Sequence, residues 1–88
     1  MIQAHVFFSG TVQGVGFRYT ALRLACILQL TGWVKNLSDG RVEMIVEGPP
    51  EKIEELLKKI DQRLDGYIQD KQINRQPAGE EFKDFQIR

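Results

Sequence analysis

At 88 residues the chain is long enough for one small hydrophobic core and too short for two, so residues 1–88 are expected to form a single domain. With 42% hydrophobic and 27% charged residues the composition is that of an ordinary globular protein. No apolar run is long enough to span a bilayer and no basic, apolar leader is present, so no membrane contact is expected and the cytoplasm is the expected compartment. Twelve basic and twelve acidic residues cancel, which excludes a global field that would recruit nucleic acid and leaves any anion binding to particular side chains.

Residues 2 to 12 alternate, with Ile2, Ala4, Val6, Phe8, Gly10 and Val12 on one face and Gln3, His5, Phe7, Ser9 and Thr11 on the other. This predicts a half-buried strand whose even positions face the core. His5, the only histidine, has no second histidine to share a metal and no adjacent serine to activate, and reads as a surface residue. The stretch Gly10-Thr-Val-Gln-Gly-Val-Gly-Phe-Arg18 follows, an apolar run giving way to a glycine-containing loop and a helix start. Glycines allow positive φ and let N–H groups converge, and the first helical turn adds unsatisfied donors and a positive dipole end. Arg18 contributes a planar fork that matches two phosphate oxygens, so the loop can hold a phosphate or carboxylate. It is not a Walker-type loop, which ends in Gly-Lys-Ser/Thr, nor a dinucleotide fingerprint, whose third glycine would replace Tyr19.

From Phe17 to about Leu30, Ala21, Leu24, Ala25 and Leu28 recur at helical steps, with Leu22 beside them, and Gly32 is expected to end the helix. Cys26, the only cysteine, falls within this pattern and is expected to be a small buried hydrophobe; it excludes an internal disulfide and any multi-thiolate metal site. Trp33 to Leu37 and Arg41 to Glu47 read as strands joined through Ser38-Asp39-Gly40, a hairpin signal, with Asn36 near the end of the first. Trp33 is expected in the core, and Lys35 as a solvated edge-strand charge. Gly48-Pro49-Pro50 breaks the sheet, and a helix opens at Pro50 or Glu51 with Ile53, Leu56, Leu57, Ile60 and Leu64 as its apolar stripe. Tyr67 to Gln76 predicts a polar edge strand, Pro77-Ala78-Gly79 a turn, and Phe82 to Ile87 a short last strand. The order β-α-β-β-α-β with a terminal strand predicts an α+β, ferredoxin-like antiparallel sheet with both helices on one face. That fold hosts many functions and does not choose among them.

Gly10-x-Val12-Gln13-Gly14-Val15-x-Phe17-Arg18, followed by Gly32-Trp33-Val34-Lys35-Asn36-x-x-Asp39-Gly40-x-Val42, resembles the acylphosphatase family, and the resemblance runs from the first strand to Phe85-Gln86-Ile87-Arg88. It implies hydrolysis of acyl phosphates to carboxylate and inorganic phosphate, by a monomer, with no metal and no cofactor. The phosphoryl group would sit on the main chain of Gln13, Gly14, Val15, Gly16, Phe17 and Arg18, with the Arg18 side chain also holding it, and inorganic phosphate or sulfate would occupy the same place. Asn36 would orient the attacking water, although on the residues alone it reads rather as a hairpin asparagine satisfying local backbone groups. The family pattern admits larger residues at position 16, so Gly16 is expected in an ordinary backbone region and Gly14 at positive φ. Relatives often continue with an aromatic residue where this chain has its final Arg88.

The alternatives share the fold. A non-catalytic module that binds or senses a small anion would also use such a loop. An RNA-recognition domain would need an Arg/Lys-Gly-Phe-type motif and a basic sheet, which the sequence lacks. A module of a larger carbamoyl-transferring maturation protein would continue into cysteine-rich zinc segments, and none occurs in these residues.

Overall fold

The computed structural model describes all 88 residues. In chain order they form β1 (Ile2–Gly10), α1 (Phe17–Ile27), β2 (Thr31–Asn36), β3 (Val42–Gly48), α2 (Pro50–Arg63), β4 (Ile68–Pro77) and β5 (Phe85–Ile87). The sheet order is β4-β1-β3-β2-β5. The first four strands are antiparallel to their neighbours, which is the ferredoxin-like arrangement. β5 runs parallel to β2, so the sheet is mixed rather than wholly antiparallel. The polar β4 lies at one edge, as its composition predicts.

Alternation in β1 places Ala4, Val6 and Phe8 in the core, and Val12 beyond the strand is buried with them. α1 contributes Phe17, Ala21, Leu24 and Ala25, and α2 contributes Ile53, Leu56, Leu57 and Ile60, all to one cluster on one side of the sheet. Full burial of side chains such as Phe8 and Ile53 is worth about 1.5–3 kcal/mol each. The Phe8 and Phe17 rings meet at 4.7 Å and 58°, which locks the start of α1 to β1.

α1 is shorter than its apolar pattern. Leu30 N–H donates to Ala25 O at 2.9 Å and Gln29 N–H to Cys26 O at 3.1 Å, with Gln29 at φ 57. A left-handed residue followed by this pair of bonds closes the helix, and Leu30 then turns into the core. Gly32 does not terminate the helix. It lies in β2 at φ 139, where an added Cβ would fall on the Ile45 carbonyl oxygen of β3.

Cys26 is exposed, contrary to its expected burial. It sits one residue, about 100° of helix rotation, beyond the buried Ala25, on the outer face of α1. Trp33 is buried but lies outside the main core cluster. Its ring is on the other face of the sheet, with Lys35 Nζ and the Arg88 guanidinium each 5.2 Å from its centroid. β5 pairs β2 only from Gly32 to Val34, so Lys35 lies just past the covered stretch, part-exposed and 3.8 Å from Glu43. His5 is half-buried and pairs with Glu43 at 2.6 Å on that same outer face.

Candidate active site

β1 leaves the sheet through an irregularity at Ser9/Gly10, and Thr11 N–H donates to Tyr67 O at 2.9 Å. Gly10, at φ 125, abuts this junction so closely that a Cβ would strike the Tyr67 carbonyl. Beyond it the chain turns through Gly14 at φ 79 and Gly16 at φ 78, whereas Val15 and Phe17 are not in the positive-φ region. Alternation of this kind brings successive N–H groups to one side and forms a concave anion-binding main chain. Gly16 is therefore left-handed, not in the ordinary region expected of it. It is the residue that caps α1, and the turn into the helix requires that conformation. Nothing lies within 4 Å of a Cβ added at Gly14 or Gly16, so the constraint at both is the backbone itself.

From Val12 through Tyr19 no main-chain N–H has an acceptor in the protein; the next bond after that of Thr11 is Thr20 N–H to Gly16 O at 3.0 Å. α1 has no side-chain cap and no acidic residue in its first turn, so its positive end is uncompensated. Arg18 is exposed and takes part in none of the ion pairs of the chain.

A cleft of about 220 Å³ joins this loop to the end of β2, lined by Val12, Gly14, Gly16, Phe17, Arg18, Tyr19, Asn36 and Ile87. Asn36 contributes a buried Oδ1 with no hydrogen-bond partner. It is thus not the hairpin asparagine of the alternative reading, since its side chain satisfies no local backbone group. The turn is closed instead by Leu37 N–H to Arg41 O at 2.8 Å, with Gly40 at φ 96. Arg41 also donates from its N–H and its Nε to Asp39, and these bonds hold the Asp39 carboxyl below its ordinary value.

The sequence-predicted residues separate into two sets. Gly14, Gly16, Phe17, Arg18 and Asn36 share the cleft, although Phe17 turns its ring into the core. Gln13 and Val15 do not line it. Val15 packs its side chain against the core, and Gln13 Nε2 donates to Leu37 O at 2.7 Å and Arg41 O at 3.0 Å. The Gln13 side chain thus ties the loop to the hairpin that follows Asn36. Tyr19 and Ile87 complete the cleft walls and were not singled out from the sequence. A helical residue beside Arg18 and an apolar residue in a short terminal strand carry no chemical signature of their own. No group of three or more His, Cys, Asp or Glu side chains is placed to hold a metal ion, and no helix is long and apolar enough to cross a membrane.

The solved structure of acylphosphatase from Bacillus subtilis superposes with a TM-score of 0.92 at 34% identity, covering 99% of this chain and 98% of that one. The acylphosphatase of Trichormus variabilis is 53% identical over 58 residues, a match that covers 66% of this chain and 57% of the relative, under two thirds of that protein's length. T. kodakarensis HypF contains a similar unit, with a TM-score of 0.84 and 31% identity over 100% of this chain but only 12% of that protein. The family model described as Acylphosphatase matches residues 4–87, and the open loop, its arginine and its asparagine fall within that span. The chain belongs to the acylphosphatase family.

Proposed function

We propose that the protein hydrolyses the carboxyl–phosphate bond of small acyl phosphates, R-CO-O-PO3, and that the cleft between the glycine loop and Asn36 is where it does so. The observation that carries this reading is the run of main-chain N–H groups from Val12 to Tyr19 without acceptors, most of whose residues line a cleft that also holds Arg18 and Asn36. The phosphoryl oxygens accept from the loop N–H groups and from the Arg18 guanidinium, which stabilise charge as the P–O bond to the carboxylate opens. The Asn36 amide holds the attacking water. An unmet buried amide oxygen costs about 1–3 kcal/mol, which a hydrogen-bonded water or substrate recovers. The water oxygen bonds to phosphorus, the carboxylate leaves as its stable anion, and both water protons stay with the phosphate. A carboxylate is already a good leaving group, so the reaction calls for placement and charge stabilisation, with no side-chain nucleophile.

Release of inorganic phosphate from benzoyl phosphate by the purified protein, against a buffer blank, tests this directly. Turnover that inorganic phosphate inhibits competitively is the expected result. A protein that phosphate stabilises against heat but that turns over no acyl phosphate would instead be an anion-binding module, and the hydrolase reading would fall.

A further inference from the structure

The glycine loop and the β2–β3 hairpin bring their groups to one cleft from separate pieces of chain, and a single side chain joins them. Of residues 11–19, only Gln13 makes a side-chain hydrogen bond within the protein, and its Nε2 donates both to Leu37 O at 2.7 Å and to Arg41 O at 3.0 Å. A glutamine amide has two N–H hydrogens, so its donor capacity is fully used. Gln13 adjoins Gly14, where the left-handed turns of the cradle begin, and Leu37 adjoins Asn36. The reach of one amide thus fixes how far the loop stands from Asn36.

The anchor that Gln13 grips has its own support. Leu37 O also accepts from Gly40 N–H at 3.2 Å, and Arg41 O from Leu37 N–H at 2.8 Å. The Asp39 carboxylate accepts from Arg41 N–H at 3.1 Å and from Arg41 Nε at 2.8 Å, and the pairing of Asn36 with Val42 continues the ladder of β2 and β3. The turn therefore keeps its shape without Gln13, since each of the two carbonyls retains a main-chain donor. The loop is secured differently. Val12 and Phe17 root it in the core, but none of its N–H groups from Val12 to Tyr19 has an acceptor, so its distance from the hairpin rests on the Gln13 amide.

Resting on the hydrolase reading above, we propose that Gln13 is a positioning residue for the reaction: its side-chain amide, bonded to Leu37 O and Arg41 O, sets the spacing between the phosphoryl group on the loop and the water held by Asn36. The Gln13 side chain touches neither substrate nor water. Phosphate binding stays with the loop N–H groups and Arg18, and the amide acts on the alignment of water and phosphorus. Displacement at phosphorus depends steeply on that alignment, and a misplacement of about 1 Å costs about a hundredfold in rate.

Two variants test this with benzoyl phosphate as substrate. Gln13→Met keeps the length and removes the amide; kcat should fall by about tenfold to a hundredfold, while the inhibition constant of inorganic phosphate changes by less than about twofold. Its melting temperature without phosphate should move little, because Leu37 O and Arg41 O keep their main-chain donors. Gln13→Glu supplies a readout that a packing role would not move. The carboxylate cannot donate to either carbonyl, whereas the protonated acid donates one hydrogen bond. As pH falls from about 7 to about 5, kcat of this variant relative to wild type should therefore rise, and the same ratio for Gln13→Met should stay flat. A kcat for Gln13→Met within about twofold of wild type, or a flat ratio for Gln13→Glu, would overturn the proposal. So would a loss of kcat matched by an equal loss of phosphate binding, which would make Gln13 a support of the cradle alone. Wild-type turnover would still uphold the hydrolase reading in each of these cases, and its absence would remove both.

Discussion

The two helices of this protein begin in opposite ways. α2 starts behind Pro49, with Pro50 supplying no N–H, Glu51 in the first turn, and the N–H groups of Lys52 and Ile53 both turned back to Pro49 O at 3.1 Å. Its end is closed and compensated, which favours a stable helix. α1 starts behind a left-handed glycine, with no cap, no acid and an arginine, and the N–H groups of Phe17, Arg18 and Tyr19 have no acceptors, Thr20 alone donating back to Gly16 O as Ile53 does to Pro49 O in α2. A helix end left this way is less stable than it could be, and its donors remain free for an anion. Within 88 residues one helix start serves the fold and the other serves the proposed site.

The strongest way to break that contrast is to remove the cation. Arg18→Ala should lower kcat/KM by roughly a thousandfold or more, the scale of a lost phosphoryl-transfer arginine, whereas Glu51→Ala at the other helix should leave kinetics intact. A loss of less than tenfold at Arg18 would place the main charge stabilisation elsewhere. Asn36→Ala should act mainly on kcat, by about a hundredfold, the scale of losing a single positioned hydrogen-bonding group. Because its buried oxygen satisfies nothing in the protein, the same change should leave the melting temperature equal or higher. An effect on KM alone would make Asn36 a binding residue.

The glycines come next. Gly14→Ala and Gly16→Ala should each cost about 1–2 kcal/mol of stability through the left-handed backbone alone, and each should diminish the rise in melting temperature produced by phosphate. If Gly16→Ala kept full stability and full phosphate response, the conformation at the start of α1 would not be what holds the anion. The smallest effect sharpens the comparison by giving α1 what α2 has. Tyr19→Glu places an acid in the first turn, which should stabilise the unliganded helix by about 0.3–1 kcal/mol and weaken phosphate binding severalfold. Thermal melts with and without phosphate would show the two opposite signs, and a change of one sign in both would reject the trade between stability and binding.

The sequence carried the fold where period and punctuation agreed. Alternation in β1, the stripe of α2 from Ile53 to Leu64 and the Asp39-Gly40 turn each correspond to one local conformation, and each is found. It misled where a decision depended on a distant partner. Gly32 reads as a helix stop, but its absent side chain is needed because Ile45 O of β3 occupies the space. Trp33 reads as core and is buried, but on the face of β2 away from the helices, where Lys35 and Arg88 flank its ring. In the site, Arg18 and Asn36 were legible from the family motif and share a cleft. The bonds from Gln13 to Leu37 O and Arg41 O were not, because a glutamine within a glycine loop gives no sign of where its amide reaches. Tolerance of other residues at position 16 suggests an ordinary φ, yet Gly16 stands at φ 78. Open space around the position also gives tolerance, with the backbone cost remaining.

The pairing of β1 has a kinetic consequence. It is the first strand in the chain, yet its neighbours are β3 and β4, and the base of the glycine loop is pinned by Tyr67 through Thr11. Closing such long loops is the slow part of folding, and the cradle takes shape only once residues more than half the chain away have docked. An anion held there would act as a latch on the finished sheet and not as a guide toward it. It would slow unfolding and leave the rate of folding unchanged, so the protein's lifetime in the native state would be set by the same small ligand that its loop is shaped to hold.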